Sequence, residues 1–222
     1  MKALLYKEFK LAMHPICYVF VFLFPIMILI PSYPLGIGFI YVLSCYPILF
    51  LGANKGQQSN DLLFSTLLPV RKKDIVLARI FTIAIMQFIF IGVMTTLYPL
   101  ARYFHSSTET IVPGITLDGY MTLLAFAIIG YAVADLIFFP IYYRKGKSIV
   151  GSTLATILGF VAYIGITTIG LPFVPGVKDV FAYLYAHQWV QAIILVVSFA
   201  IYFVIHIAVY KVSAKRLEKV DF

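Results

Sequence analysis

The side chains of this protein offer few combinations that could do covalent chemistry. The sequence has neither the HExxH motif of zinc hydrolases nor the GxSxG motif of serine hydrolases, and its four histidines fall in separate segments. Gly146-Lys147-Ser148 matches the end of a phosphate-binding loop, but that loop needs a glycine where Ile141 stands. We therefore expect no enzyme, no metal site and no ATP bound by this chain itself.

Two polar residues stand out because they lie in apolar stretches. Asp135 is the only formal charge in residues 119–143, and Gln87 lies in the charge-free run 80–101. An acid at the depth of hydrocarbon is costly and normally faces a partner or a water-filled cavity. Asp135 and Gln87 are therefore candidates for a substrate pathway. A structural role is an equal alternative, in which Asp135 is protonated or hydrogen-bonded to a hydroxyl group of a neighbouring helix.

A second candidate site is an apolar turn beside a basic triplet, in residues 54–77. Asn60 is a favourable helix N-cap, a short apolar helix follows it, and Pro69 ends that helix. So short an apolar helix must be covered by the membrane surface, by its own bundle or by the cleft of a cytoplasmic partner. For the last case the candidate docking residues are Asn60, Asp61, Leu63, Phe64, Leu67, Pro69, Arg71, Lys72, Lys73 and Asp74.

The composition indicates what kind of scaffold holds these residues. Of the 222 residues, 62% are hydrophobic and 12% are charged, whereas soluble domains are about half apolar and a quarter charged. A helix needs about 20 apolar residues to cross about 30 Å of hydrocarbon. Five stretches of the sequence carry at most one charged residue, and the longest of them, residues 11–54, is divided by the turn at Pro31 and Pro34. These stretches predict six spans. They lie at about 14–31, 35–53, 78–101, 120–143, 149–170 and 190–210.

The distribution of basic residues predicts the topology of these spans. With both termini in the cytoplasm, fifteen of the seventeen Lys and Arg residues lie on the inner side, and only Arg102 and Lys178 lie outside. Lys and Arg accumulate in short cytoplasmic loops, so this arrangement is favoured. The net charge of +8 then reflects orientation and contact with the lipid bilayer, and no nucleic acid partner is expected.

Two further segments do not form simple spans. The pattern of residues 2–13 predicts a short interfacial helix on the inner leaflet. Its apolar face contains Leu5, Tyr6 and Phe9, and Lys7 lies on the opposite face. The alternative is a frayed end of the first span. Residues 171–189 predict an extracellular or re-entrant segment, because they combine two prolines with several aromatic residues and few charges.

A family resemblance rests on two motifs. The string Leu67-Leu68-Pro69-Val70-Arg71-Lys72-Lys73-Asp74-Ile75-Val76 and the string Phe139-Pro140-Ile141-Tyr142-Tyr143-Arg144-Lys145-Gly146-Lys147 resemble the loop and the end of the fourth span of ABC-2 type permeases. The similarity is greatest to a compact six-helix subgroup that exports phenol-soluble modulins and other peptide toxins.

The resemblance implies a function for the whole chain. It implies an all-α, multi-pass permease of the bacterial cytoplasmic membrane, folded as one transmembrane domain over residues 1–222. Residues 54–77 would carry the coupling helix that docks on a separate ABC ATPase, which binds ATP and Mg²⁺. A second permease copy, identical or a close paralogue, would complete an exporter of amphipathic peptides. The alternative is a nucleotide-independent membrane channel or scaffold protein.

Overall fold

The computed structural model describes residues 2–12, 15–26, 29, 70–104, 120–145, 149–170 and 187–219, and within them it contains helices and no strand. We number the α-helices in chain order. They are α1 (Lys2–Lys7), α2 (Pro15–Ile26), α3 (Lys72–Phe104), α4 (Tyr120–Lys145), α5 (Ile149–Ile164) and α6 (Gln188–Glu218). Two π-helical segments extend this pattern, Glu8–Ala12 after α1 and Gly165–Gly170 after α5.

Three of these helices are long and apolar enough to cross a membrane, namely α3, α4 and α6. The apolar stretch Gly151–Thr167, which belongs to α5 and to the π-helical segment after it, is shorter. Hydrocarbon offers no hydrogen-bond partners to the backbone, so an apolar segment within it forms a helix, which satisfies its backbone hydrogen bonds internally. The chain is thus an all-helical membrane protein over its described part. The count of six spans stays a prediction, since the span at 35–53 and most of the segment 171–189 lie outside the described residues.

Helix α4 packs closely against α5 and α6, and side-chain contacts join it to α3, among them Arg79–Tyr142 and Gln87–Asp135. Its packing face carries aromatic residues with zero or near-zero exposure and small residues between them. Gly130 lets α5 approach closely, because a Cβ atom added there would lie 3.0 Å from the Phe160 ring and 3.1 Å from the Tyr163 ring. Tyr163 also donates a hydrogen bond of 2.9 Å to the carbonyl of Phe126.

Residue pairs along the helices give their relative directions. Arg79 near the start of α3 bonds to Tyr142 near the end of α4, and Tyr98 further along α3 stacks on Tyr120 at the start of α4. Helices α3 and α4 are therefore antiparallel. Because Arg216 of α6 donates to the carbonyl of Pro140, the end of α6 lies at the same end of the bundle as the start of α3.

The N-terminal helix differs from the expected amphipathic pattern at one residue. Lys7 was expected opposite the apolar face, in contact with solvent, but it is buried at 8% exposure, whereas Tyr6 is exposed. A buried acid accounts for the difference, because Lys7 Nζ lies 3.4 Å from Glu8 Oε1 and Glu8 is 2% exposed. Contacts with α3 hold this part of the chain against the bundle.

The small residues Gly151, Ala155 and Gly159 of α5 form a stripe that admits a neighbouring helix. At Gly159 that neighbour belongs to the same chain, because an added Cβ atom would clash with Ile137 Cδ1 of α4. At Gly151 the surface is exposed. The stripe therefore serves internal packing at its Gly159 end.

Candidate functional site

The basic triplet of the predicted docking segment lies at the start of α3. The backbone N–H of Asp74 donates to the carbonyl of Arg71 at 2.8 Å, so Arg71 occupies the position before the first helical turn. The Arg71 side chain reaches Asp74 Oδ2 at 3.0 Å, and this ion pair is largely exposed. The remaining candidate docking residues, Asn60, Asp61, Leu63, Phe64, Leu67 and Pro69, lie outside the described residues.

The charges at this helix start have an electrostatic consequence. The N-terminus of a helix carries a partial positive charge, so cations in its first turn are unfavourable and an acid is favourable. Lys72 and Lys73 occupy that turn with Asp74, and Arg71 precedes it. The single acid of this turn offsets only part of the positive charge of the two lysines.

A buried network lies about two turns further along α3. It comprises Lys7, Glu8, Arg79 and Tyr142, and we call it the Glu8–Arg79 network. Arg79 Nε donates to Glu8 Oε2 at 2.9 Å and Arg79 Nη2 donates to Glu8 Oε1 at 3.2 Å, while Arg79 Nη1 donates to the Tyr142 hydroxyl at 3.0 Å. Lys7 Nζ lies 3.4 Å from Glu8 Oε1. All four residues are at most 8% exposed, so the network joins three segments in a nearly dry environment.

The two candidate pathway residues come together in a second buried group. Gln87 Nε2 donates to Asp135 Oδ2 at 3.1 Å, and Gln87 Oε1 accepts from the Tyr202 hydroxyl at 2.6 Å. His206 Nε2 lies 2.9 Å from Asp135 Oδ2, an ion-pair contact that is not aligned as a hydrogen bond. We call Gln87, Asp135, Tyr202 and His206 the Asp135 cluster; it joins α3, α4 and α6 at one level.

The position of the Asp135 cluster constrains its chemistry. Asp135 is completely buried, Gln87 and Tyr202 are 2% exposed and His206 is 9% exposed. The cluster therefore binds helices together in this conformation, and a role in lining a substrate pathway stays a prediction.

The described residues contain no group of three or more His, Cys, Asp or Glu side chains that could hold a metal ion. The neighbouring threonines Thr95 and Thr96 bond back to their own helix, at Ile91 and Val93.

Sequence reasoning missed several residues of both groups. The sequence patterns mark Arg79 only as one of the basic residues that predict topology and Tyr142 only as part of the second family motif, and they do not mark Glu8. His206 was considered only as a metal ligand, although it lies in the charge-free run 180–210. The signal that could have found it is the rule already applied to Asp135, that an ionisable group within a span needs a partner.

The comparison with known families matches almost the whole chain. Residues 3–218 match the ABC-2 family transporter proteins. The chain belongs to the ABC-2 transporter family. This confirms the resemblance that the two motifs indicated, at the level of the family. The comparison with curated proteins gave no match, and neither did the comparison with solved structures.

Family membership gives the buried groups their setting. An ABC-2 transporter chain is the membrane component of an ABC transporter; such components are generally not catalytic, and membership implies an ABC ATPase partner. In this ABC-2 chain, α3 begins with the half-buried Lys72 and Lys73 and then carries Arg79 and Gln87. One helix thus connects the surface nearest the predicted docking segment to both buried groups.

Proposed function

We propose that this chain is the transmembrane permease subunit of an ABC exporter and converts ATP hydrolysis by a separate ATPase into movement of its own helices. The observation that carries the proposal is the Glu8–Arg79 network, which lies directly after the predicted coupling segment. A bidentate ion pair of this kind transmits displacement because its geometry is specific and its members are buried. It would pass a displacement of α3 to the N-terminal segment and to α4.

The proposed docking surface uses the basic start of α3 together with the apolar turn of residues 60–69. Arg71, Lys72 and Lys73 would meet an acidic rim on the ATPase, which would offset the unfavourable interaction of three cations with the helix dipole. The apolar turn would fill a cleft of that subunit. ATP and Mg²⁺ would bind to the ATPase and not to this chain.

The proposed assembly has six spans per permease, both termini in the cytoplasm of a bacterial cell, and two permease copies. In its most apolar part α6 has only 22% of its residues buried within the chain. An apolar row on α6 therefore needs lipid or a second copy to cover it. The row is formed by Ile193, Val196, Val197, Phe203, Val204 and Ile207.

The proposed cargo is an amphipathic peptide. This part of the proposal rests on the resemblance of the two motifs to peptide-toxin permeases.

Charge reversal tests the docking role. The variant R71E/K72E/K73E should insert normally and fail to stimulate the hydrolysis of ATP by its co-expressed ATPase, because six units of charge change at the proposed contact. The matched control K211E/K215E/K219E changes the same charge at exposed positions near the end of α6 and should retain coupling. Insertion is checked by membrane fractionation, and coupling by ATPase activity in proteoliposomes.

The same preparation separates the exporter from a channel or scaffold. Co-purification of an ABC ATPase with the permease supports the proposal. Normal stimulation in R71E/K72E/K73E would exclude the docking role of the triplet. If no ATPase co-purifies and peptide transport is unchanged after deletion of residues 60–74, the exporter function is refuted.

A further inference from the structure

The outward face of the N-terminal segment carries two lysines and a tyrosine. Lys2, Tyr6 and Lys10 are all exposed, and they follow one another at intervals of four residues. Residues four apart are neighbours on a helix surface, and Lys10 does contact Tyr6. Lys7 and Glu8, which stand between Tyr6 and Lys10 in the sequence, are buried instead. We call Lys2, Tyr6 and Lys10 the Tyr6 row.

The Tyr6 row is positively charged and contains no acid. Glu8 is the only acidic residue among the first sixty of the chain. Its carboxylate is buried and accepts two hydrogen bonds from Arg79, so it is engaged away from the row. An anion from beyond the first sixty residues is therefore needed to complement the exposed lysines.

Two neighbours place the Tyr6 row at the edge of the hydrocarbon. Arg79, which binds Glu8, is the residue directly before the charge-free run 80–101 of α3. Helix α2 begins at Pro15, five residues after Lys10, and several of its large apolar side chains are exposed, as contact with lipid requires. Tyrosine and lysine side chains concentrate at the membrane–water interface. The anions of that layer are the phosphate groups of lipids.

The contact between Lys10 and Tyr6 arranges hydrogen-bond donors for a phosphate. Lys10 Nζ donates to the Tyr6 hydroxyl oxygen at 2.7 Å and lies 5.2 Å from the centroid of the Tyr6 ring. An ammonium group carries three hydrogen atoms, so two remain for other acceptors. Tyr6 accepts in this bond, so its own hydroxyl hydrogen atom can be donated outward. The non-bridging oxygens of a phosphodiester only accept hydrogen bonds, and those bonds are charge-assisted.

We propose that the Tyr6 row binds the phosphate group of one anionic phospholipid. Lys10 and Tyr6 donate to its non-bridging oxygens, and Lys2 adds a second positive charge about 6 Å along the helix axis from Tyr6. Two lysines without an acid favour an anionic headgroup, such as that of phosphatidylglycerol, over zwitterionic phosphatidylcholine. This inference goes beyond export and does not depend on the ATPase.

Native mass spectrometry of the full chain tests the site. The protein is released from detergent micelles that contain equal amounts of phosphatidylglycerol and phosphatidylcholine with the same acyl chains. We expect the wild type to retain phosphatidylglycerol preferentially, and K2Q/K10Q to lose up to about 25-fold of that preference, since each lysine near a lipid surface contributes about fivefold. Y6F keeps both charges and should lose about threefold, because it lacks the hydroxyl. All three side chains are exposed, so these variants should fold, which circular dichroism checks.

A matched variant controls for charge alone. K215Q/K219Q removes the same charge from exposed positions near the end of α6 and should retain most of the preference. Equal preference in the wild type and K2Q/K10Q would overturn the proposal, and so would equal losses in the two double variants. If K2Q/K10Q keeps its lipid preference and loses a co-purifying ATPase, the Tyr6 row is a protein contact and the lipid site is refuted.

A second measurement tests whether the lipid stabilises the folded chain. A ligand that binds the folded state more tightly than the unfolded state shifts the equilibrium toward folding. Replacing phosphatidylcholine by phosphatidylglycerol in mixed micelles should therefore lower the equilibrium constant for unfolding of the wild type. The effect should be smaller in K2Q/K10Q than in K215Q/K219Q. Equal responses of these two variants would contradict a site at the Tyr6 row.

Discussion

Replacing Glu8 should strongly destabilise the chain, because Glu8 is the acid of the Glu8–Arg79 network. The carboxylate accepts two hydrogen bonds from Arg79 and contacts Lys7, so Glu8→Gln removes the negative charge that faces both buried cations. The side chains of Arg79 and Glu8 are 3% and 2% exposed. Water therefore cannot screen the remaining charges, and the small values typical of surface ion pairs do not apply.

The magnitude follows from this burial. Breaking a buried ion pair by removing one partner costs about 3–5 kcal/mol, mostly because an uncompensated charge stays buried. This corresponds to a change of about 10²- to 10⁴-fold in the folding equilibrium constant. Arg79→Met should cost about the same, because it removes both hydrogen bonds that Arg79 donates to the Glu8 carboxylate and the one that it donates to the Tyr142 hydroxyl.

Lys7→Met is the matched control. It removes a cation from the same network but leaves both Glu8–Arg79 hydrogen bonds intact, and it lowers the net charge of the group from +1 to zero. We expect it to destabilise the chain less than Glu8→Gln does, because the Lys7–Glu8 contact of 3.4 Å is longer than the two Arg79–Glu8 hydrogen bonds and the methionine keeps most of the apolar stem.

A double-mutant cycle measures the coupling between Glu8 and Arg79. Unfolding by denaturant in detergent micelles, followed by circular dichroism, gives the free energy of unfolding of the wild type, the two single variants and Glu8→Gln/Arg79→Met. The double variant should be less destabilised than the sum of the singles by about 2 kcal/mol or more, since it removes both charges. Additive effects would refute the inference that this pair is desolvated and coupled.

Two further predictions compare matched substitutions, both read by the same unfolding assay. Tyr202→Phe removes the hydroxyl that donates to the buried Gln87 amide oxygen and should cost about 1 kcal/mol. Tyr131→Phe removes a buried hydroxyl that has no hydrogen-bond partner in the described part of the chain and should change stability by less than about 0.5 kcal/mol. Equal effects would contradict the hydrogen-bond assignment. Gly92→Ala meets open space on an exposed helix position and should stabilise by about 0.5–1 kcal/mol. Gly159→Ala should stabilise less, because the added Cβ atom forces the Ile137 Cδ1 methyl group to move, and Ile137→Val, which removes that methyl group, should narrow the difference.

The predictable parts of this molecule are those that depend on hydrocarbon as a solvent. Charge-free runs mark where helices must lie, and α3, α4 and α6 begin and end within a few to eight residues of the ranges expected at 78–101, 120–143 and 190–210. The pairing of Gln87 with Asp135 also follows this logic, because a polar group in a span needs a polar partner. Which partner it takes depends on helix directions and neighbours, and those are tertiary properties.

The Glu8–Arg79 network was not predictable for a related physical reason. A lysine, a glutamate and an arginine near span ends are equally compatible with water and with burial, because only packing decides which of them lose solvent. Arg79 reaches across 71 positions of sequence to Glu8. The change to π-helix at Glu8 further shifts the residues that face the bundle, so no fixed period identifies them.

Helix α3 couples the two buried groups because it contributes to both of them. Arg79 and Gln87 are eight residues apart, which is about 12 Å along the helix axis at 1.5 Å per residue. A helix over this distance moves nearly as a rigid rod, whereas the bonds of Arg79 and Gln87 are short and directional. A displacement of α3 large enough to break the ion pair with Glu8 therefore also strains the bonds of Gln87 to α4 and α6. Opening at one level therefore favours opening at the other.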